Sequence, residues 1–395
     1  MRMSAEENGN GGRSVRLLTQ EEKQLTRFLY EEAFPEDGQK LTDYYYRIKM
    51  AGNEVFAALD STGHASGMLC LNPYRVMVRG TEYPLSYIVA VATEKAHRRE
   101  GIMRSVLTAA LRHLHSRSET LRAGHLPGIP FTYLKPADPA YYRPFGFAYI
   151  SRRERRALKQ DAPVTREMFS RRNMPAAREA KALQTTAAFM NAFLAERFEV
   201  YCCRDGRYLQ ELLCEIEAGD GHLDLLYDKA AADTSGRPRI AGTAVYDYPG
   251  VRENMTRLLT KEEYLAAAET PEEPFFMARI VDLPAFLEML EGTNAAEHEN
   301  AAGPENASAF RFYFDDPLIP ENRGGWEIRA GSVARCPDRT GLPVFTPEQL
   351  EPLLFGYRTP GQEAGAEIDA ERIAAEQRLL RAVKPLRGIY FDEET

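Results

Sequence analysis

A histidine, two arginines and a glycine stand together at His97, Arg98, Arg99 and Gly101, inside the stretch TEKAHRREGIMRSVL. The apolar run YIVAVA precedes them and the amphipathic pattern GIMRSVLTAALRHLHSR follows. A strand that ends in a glycine-bearing turn and feeds a helix presents free backbone N–H groups, and the helix start adds a partial positive charge. Such a joint is an anion site, and phosphate is its usual guest. Gly101 lets the backbone approach closely. Arg98, Arg99 and Arg104 supply neutralising charge.

The elements around this joint repeat a strand-and-helix logic. The chain has 395 residues, enough for two or three domains. From Val15 onward EEKQLTRFLYEEAF is helical by period, EVFAALD and HASGMLCLNPYRVMV read as strands, PLSYIVAVAT is a strand, and PFTYLKPA another. The helix between the last two places Ile102, Val106, Leu107, Ala110, Leu111 and Leu114 on one face. The order predicts a mixed sheet with helices on its faces. A second block repeats helix-then-hairpin (AKALQTTAAFMNAFLAERF, RYLQELLCEIEA, LDLLYD, RIAGTAVYDY) without the Arg-Arg-x-Gly joint. The third opens on FFMARIVDLPAFLEML, strand then helix with Pro284 in the first turn. It continues through a polar loop over 294–309, a hairpin signal at NRGG, a helix capped by Thr346 and Pro347, a long helix EIDAERIAAEQRLLRAV and a strand-like RGIYFDEET.

Composition narrows the function classes. Hydrophobic residues make up 44% and charged residues 27%, ordinary for a globular chain, and no apolar run is long enough to span a bilayer. Residues 1–14 read as a polar tail rather than a signal peptide. Five cysteines without a C-x-x-C pair fit free thiols in a reducing cytoplasm. A net charge of −8 speaks against a nucleic-acid binder and suits a cationic acceptor. His113 and His115 point to different helix faces and read as surface residues, so no metal is expected. No H-E-x-x-H, G-x-S-x-G or Walker pattern is present.

Arg98-Arg99-Glu100-Gly101-Ile102-Met103 resembles the pyrophosphate loop of the GNAT acetyltransferase superfamily, Arg/Gln-x-x-Gly-x-Gly/Ala. Met103 stands where a small residue is usual. One branch, the enhanced intracellular survival (Eis) acetyltransferases, tolerates a bulky residue there. IPFTYLKPADPAYYRPFGFAYI, MARIVDLPAFL, DPLIPENRGGWEI and LLFGYRTP are similar to segments of that branch. The resemblance implies tandem GNAT-like mixed-sheet α/β domains, at 15–155 and, degenerate, at 160–272. A sterol-carrier-like α/β domain then covers 274–395, so the fold class is α+β. It further implies acetyl-CoA as co-substrate, a homohexamer, and a polycationic amine acceptor such as an aminoglycoside.

Acetyl transfer from a thioester to an amine needs a held pantetheine arm, a gripped pyrophosphate, a base and an acid. By analogy Val89, Ala90 and Val91 line the arm, with a backbone N–H near Val91 for the oxyanion. Arg98, Arg99, Glu100, Gly101, Ile102, Met103 and Arg104 hold the pyrophosphate, and Ala137 and Asp138 line the same channel. The departing thiolate needs a proton that a tyrosine of pKa about 10 can give. The motif's register selects Tyr142, with Tyr141 next to it. The amine, of pKa about 10, must lose its proton. In the Eis branch the α-carboxylate of the last residue, here Thr395, receives it. Phe34 and Glu36, in AFPED, fall where the family places aromatic and acidic walls of the acceptor pocket, and Tyr44 to Tyr46 can add an aromatic face. Two other readings stand beside this one. A protein lysine or N-terminal amine can be the acceptor, or the chain can be a non-catalytic lipid-binding protein.

Overall fold

The apolar stretches of the first block become long strands covered on both faces. In this computed structural model, residues 12–169, 174–232, 238–246, 255–268, 271–291, 309–329, 332–362 and 369–393 are described. The main sheet is built from β1 (Ser14–Leu17), β2 (Glu54–Leu59), β3 (Ala65–Val78), β4 (Thr81–Thr93), β5 (Phe131–Leu134), β6 (Ala148–Tyr149), β7 (Val200–Cys202), β8 (Met277–Ile280) and β9 (Ile389–Tyr390). The order is β1-β2-β3-β4-β5-β8-β6, and β7 joins β3 on one side and β9 on the other. Pairing is parallel between β4 and β5 and between β7 and β9, and antiparallel elsewhere.

Alternate residues of β2 and β3 enter different cores, as a period of two requires. Phe56, Ala58, Leu69 and Leu71 join one core, with Ile102, Val106, Leu107, Ala110, Leu111 and Leu114 from the long helix. Val55, Ala57, Met68 and Cys70 face the other, with Leu29, Leu41, Tyr45 and Tyr46. The latter come from α1 (Arg27–Ala33), α2 (Gly38–Tyr44) and the turn that follows. The long helix is α3 (Ile102–Ala123), and its six expected apolar positions are each at most 2% exposed. Gly67 lets the start of α3 sit against β3, because a Cβ there would run into Ile102 Cγ2.

The middle block contributes α4 (Ala176–Ala195) and α5 (Gly206–Ala218). They pack through Leu183, Met190, Leu194, Leu209 and Leu213. The accompanying antiparallel sheet runs Met255–Thr260, Pro238–Tyr246, His222–Ala232 and Val164–Met168. The third block has α6 (Leu283–Glu291), α7 (Pro347–Leu354) and α8 (Ala370–Ala382) around a second small sheet. Its order is Ser332–Arg335, Gly324–Arg329, Phe310–Phe314 and Val344–Phe345. The polar loop expected over 294–309 lies, except for Ala309, outside the described residues.

The three blocks exchange strands. β7 comes from the middle one, and β8 and β9 come from the third. MARI was expected as a strand of its own block; it is instead the strand between β5 and β6. All four of its residues are fully buried, which only a strand covered on both faces achieves. This corrects the surface reading of His115. The residue is 6% exposed, and its Nδ1 lies 2.9 Å from the Val281 carbonyl just past β8. His113 is half-buried against Glu54 at 3.3 Å. No helix of the described residues is long and apolar enough to cross a membrane.

Candidate functional site

β4 and β5 part company almost as soon as they meet. They pair at Tyr87↔Tyr133, and no further pair follows along either strand. Two residues beyond, β4 bulges. Met68 pairs with Ala92 and Cys70 with Val89, so Ala90 and Val91 together oppose Leu69 alone. Ala90 takes φ 51°, a left-handed conformation that a non-glycine residue rarely adopts. A bulge bends its strand and leaves a residue out of the ladder. Val89, Ala90 and Val91 therefore form one wall of an opening notch. Past β5, Ala137 and Asp138 are exposed, and Asp138 accepts a 2.8 Å bond from the Ala140 N–H.

The basic loop closes the far end of the β4 wall. Arg99 has φ 69° and Gly101 φ 80°, and α3 starts at Ile102. The first intrahelical bond reaches Gly101 from Ser105, so the N–H groups of Ile102, Met103 and Arg104 precede the ladder. Arg98, Arg99 and Arg104 are exposed. Arg104 also stacks over Phe145, 5.1 Å from the ring centre. Glu100 turns away to His97 at 3.2 Å and Arg13 at 2.9 Å, and the His97 bond, with the Arg13 charge, lowers its carboxyl below the usual range. Met103 packs its side chain on the main core, which accounts for a bulky residue at that position.

The two neighbouring tyrosines differ in burial. Tyr141 is 59% exposed and Tyr142 is 8%. Tyr142 sets its ring edge-on to Phe147 at 5.9 Å, and burial pushes its hydroxyl up to about 12. That hydroxyl makes no hydrogen bond with a described residue. The turn carrying it is braced from β8, where the Arg279 Nε donates to the Phe145 carbonyl at 2.9 Å. Arg279 is itself fully buried and ion-paired to Asp316 at 2.6 Å.

The C-terminal segment runs to the same place. β9 pairs with β7, and Phe391 then stacks on Tyr133, at the point where β4 and β5 separate. Asp392 and Glu393 follow, 4% and 2% exposed, and both meet Arg204, which is also buried. Arg204 pairs with Asp392 and reaches Glu393 at 2.8 Å, while Tyr208 donates to Glu393 at 3.1 Å. Burial opposes the charge on Asp392, but Arg204 and Arg257 overrule it and hold that carboxyl low. Burial pushes Glu393 up, against the pull of Arg204, and the Asp392 charge adds to the rise. Thr395 lies outside the described residues.

Next to Tyr87, on the unsplayed side, a cleft of about 310 Å³ opens against Asn72, Tyr74 and Ser86. Asn72 pairs with Tyr87 itself across β3 and β4. The cleft exists because β2 leaves the edge of β3 after Leu71 and β7 joins only at Val76. Lys49 comes in from the first block, and Asp205, Tyr208 and Glu211 from the middle one. Phe34 and Glu36 do not line it. Phe34 packs on Tyr30 at 4.9 Å, and Glu36 is exposed in the turn Pro35–Asp37. Tyr44, Tyr45 and Tyr46 are core residues, at most 5% exposed. Sequence reasoning missed Lys49, Asn72 and Arg204. Asn72 left one signal, a lone amide directly after the apolar run GMLCL. Arg204 left none. Among the described residues, no group of three His, Cys, Asp or Glu is placed to hold a metal ion.

Comparison with known proteins adds to this geometry. The family model of the acetyltransferase (GNAT) domain matches residues 14–150. No curated protein matches. A solved protein of unknown function from Enterococcus faecalis, a probable N-acyltransferase, has TM-score 0.69 and 16% identity, covering 96% of this chain and 100% of its own. A GCN5-related N-acetyltransferase from Anabaena variabilis has TM-score 0.63 and 16% identity, over 95% of this chain and 97% of its own. Eis1 from Mycobacterium abscessus has TM-score 0.57 and 14% identity, over 95% and 98%. At these identities the likeness is one of fold.

Proposed function

We propose that this chain, whose residues 14–150 form a GNAT acetyltransferase domain, moves the acetyl group of acetyl-CoA onto an amine held in the cleft beside Tyr87. The observation that carries this reading is the meeting of Phe391 and Tyr133 where β4 and β5 separate. It sets Phe391 beside the separating strands, where the pantetheine arm would lie. Val89 to Val91 and the channel residues Ala137 and Asp138 line the arm. The loop from Arg98 to Arg104 grips the pyrophosphate with N–H groups and guanidinium charge.

In the transfer, the amine nitrogen attacks the thioester carbonyl and a C–N bond forms. A backbone N–H in the bulged segment near Val91 takes the developing oxyanion. The C–S bond breaks, and the thiolate receives the Tyr142 proton. Tyr142 suits this role because burial keeps it protonated far above neutral pH. By the resemblance to the Eis branch, the amine proton goes to the α-carboxylate of Thr395. No covalent enzyme intermediate is needed.

The resemblance to the Eis branch suggests an aminoglycoside as acceptor, a sterol-carrier-like third domain, a second, degenerate GNAT-like domain at 160–272, a hexamer and a cytoplasmic location. The deciding experiment is release of free CoA thiol from acetyl-CoA with a panel of amines. Wild type, Tyr142→Phe and a chain lacking Thr395 are compared. Collapse of turnover in both variants supports the acid and the base. Turnover that survives both changes removes these two roles. No turnover and no acetyl-CoA binding returns the chain to the lipid-binding reading.

A further inference from the structure

The charge on the cleft walls does not suit a polycation. Its lining carries four cations, Lys49, Arg75, Arg117 and Arg207, against two carboxylates, Asp205 and Glu211. Both carboxylates are already engaged by arginines of the same lining, Asp205 by Arg75 at 2.7 Å and Glu211 by Arg207 at 2.8 Å. Arg117 is held by Glu54 at 2.6 Å.

Lys49 is different. It is 8% exposed, and its ammonium donates one hydrogen bond, to the Tyr74 hydroxyl at 3.2 Å. Its ion-pair partner Glu215 is shared: Oε2 stands 3.8 Å from the Lys49 ammonium, while Oε1 accepts from Arg257 at 2.9 Å, so two cations divide one carboxylate. Beside it on the wall is Asn72, 2% exposed, whose amide nitrogen and oxygen are both buried without a partner. A buried amide left unpaired forfeits the hydrogen bonds it had in water, so it marks a place where a polar guest is worth accepting. The cleft is also small, at the bottom of the range of about 300–1,000 Å³ typical for small-molecule sites.

We infer that the acceptor is a small amine bearing its own carboxylate, an amino acid or a compound like one, with that carboxylate seated on the Lys49 ammonium and the Asn72 amide. This rests on the transferase reading above and narrows its acceptor. The amine end then points toward Tyr87 and the notch. An aminoglycoside would instead bring several ammonium groups against Lys49 and the cleft arginines, a repulsion that selects against it. The reaction is the same N-acetylation. The product is an N-acetylated amino carboxylate, free CoA, and one proton released to solvent through the terminal carboxylate.

The test measures CoA release by the full-length protein with free amino acids, the same amino acids as C-terminal amides, and an aminoglycoside. Wild type should prefer acids over amides by about 10- to 100-fold in kcat/KM, the worth of hydrogen bonds to a charged group. The amide's amine is the weaker base, so a preference for the acid cannot come from protonation. Lys49→Met and Asn72→Leu should each shrink that preference toward unity. The ratio within one variant does not depend on how much of it folds. Equal or better turnover of amides, or a higher kcat/KM for the aminoglycoside than for every amino acid, overturns the inference and leaves the transferase standing. No turnover on any amine, with acetyl-CoA still bound, overturns the transferase reading and this inference with it.

Discussion

Phe391 lies flat on Tyr133, with ring centroids 4.1 Å apart and planes 13° from parallel. One residue is four positions from the end of the chain. The other is the residue at which β5 pairs with β4. Removing the upper ring in Phe391→Ala should cost about 3–5 kcal/mol, the usual range for a buried Phe truncated to Ala. It should also free the tail. Chemical denaturation should show the loss, and kcat should fall while acetyl-CoA affinity holds.

Tyr142 keeps its proton because burial pushes it up to about 12. The rate should therefore rise with pH as the acceptor amine loses its proton, with no descending limb below about pH 10. Tyr142→Phe should lower kcat by roughly 10²- to 10⁴-fold, the range for a positioned general acid. Exposed Tyr141→Phe should leave the rate within a few-fold. A pH–rate series on the three proteins checks both statements.

Arg204 faces two buried acids whose proton affinities are pushed apart, Asp392 down and Glu393 up. Arg204→Met strands Asp392, and breaking such a buried pair costs about 3–5 kcal/mol. The proton makes a separate prediction. Glu393 binds its proton more tightly folded than unfolded, so its contribution to stability is full below about pH 4.3 and lost as pH rises through its raised value. Asp392 behaves oppositely, losing its contribution as pH falls below about 3.9. Glu393→Gln removes only the first loss. Its melting temperature relative to wild type should climb as pH rises above about 4.3, and a flat difference would contradict a raised Glu393 carboxyl.

Gly146 has φ +81° and no room for a side chain. A Cβ there would stand 2.9 Å from Arg279 Nε and 3.0 Å from Pro347 Cβ. Arg279 cannot yield, because it is fully buried and its guanidinium also bonds the Phe145 and Ile280 carbonyls and Asp316. Gly146→Ala should destabilise by about 1–3 kcal/mol from backbone strain alone. Because the same turn carries Tyr142, kcat should drop at temperatures where the variant is still folded.

Arg98→Gln with Arg99→Gln leaves the backbone N–H groups in place and removes exposed charge. The KM for acetyl-CoA should rise several-fold, with kcat nearly unchanged. The dependence of that KM on salt should weaken, since exposed charges are screened over about 10 Å at 0.1 M.

Local pattern determined much of this protein. The period of α3, the runs of β3 and β4, and the glycine joint at Gly101 are set by neighbours within a few residues, so they are legible along the chain. The bulge at Ala90 is not, because it is defined only against β3. The same holds for the cleft, which is a gap between β2 and β7 on one edge and takes its charge from segments far apart in sequence. MARI read as a strand, but nothing local said which sheet would bury both of its faces. Phe391, Asp392 and Glu393 read as a strand-like end with acids. Only the folded chain sets them on Tyr133 and Arg204, because burial and pairing are properties of what surrounds a residue in space.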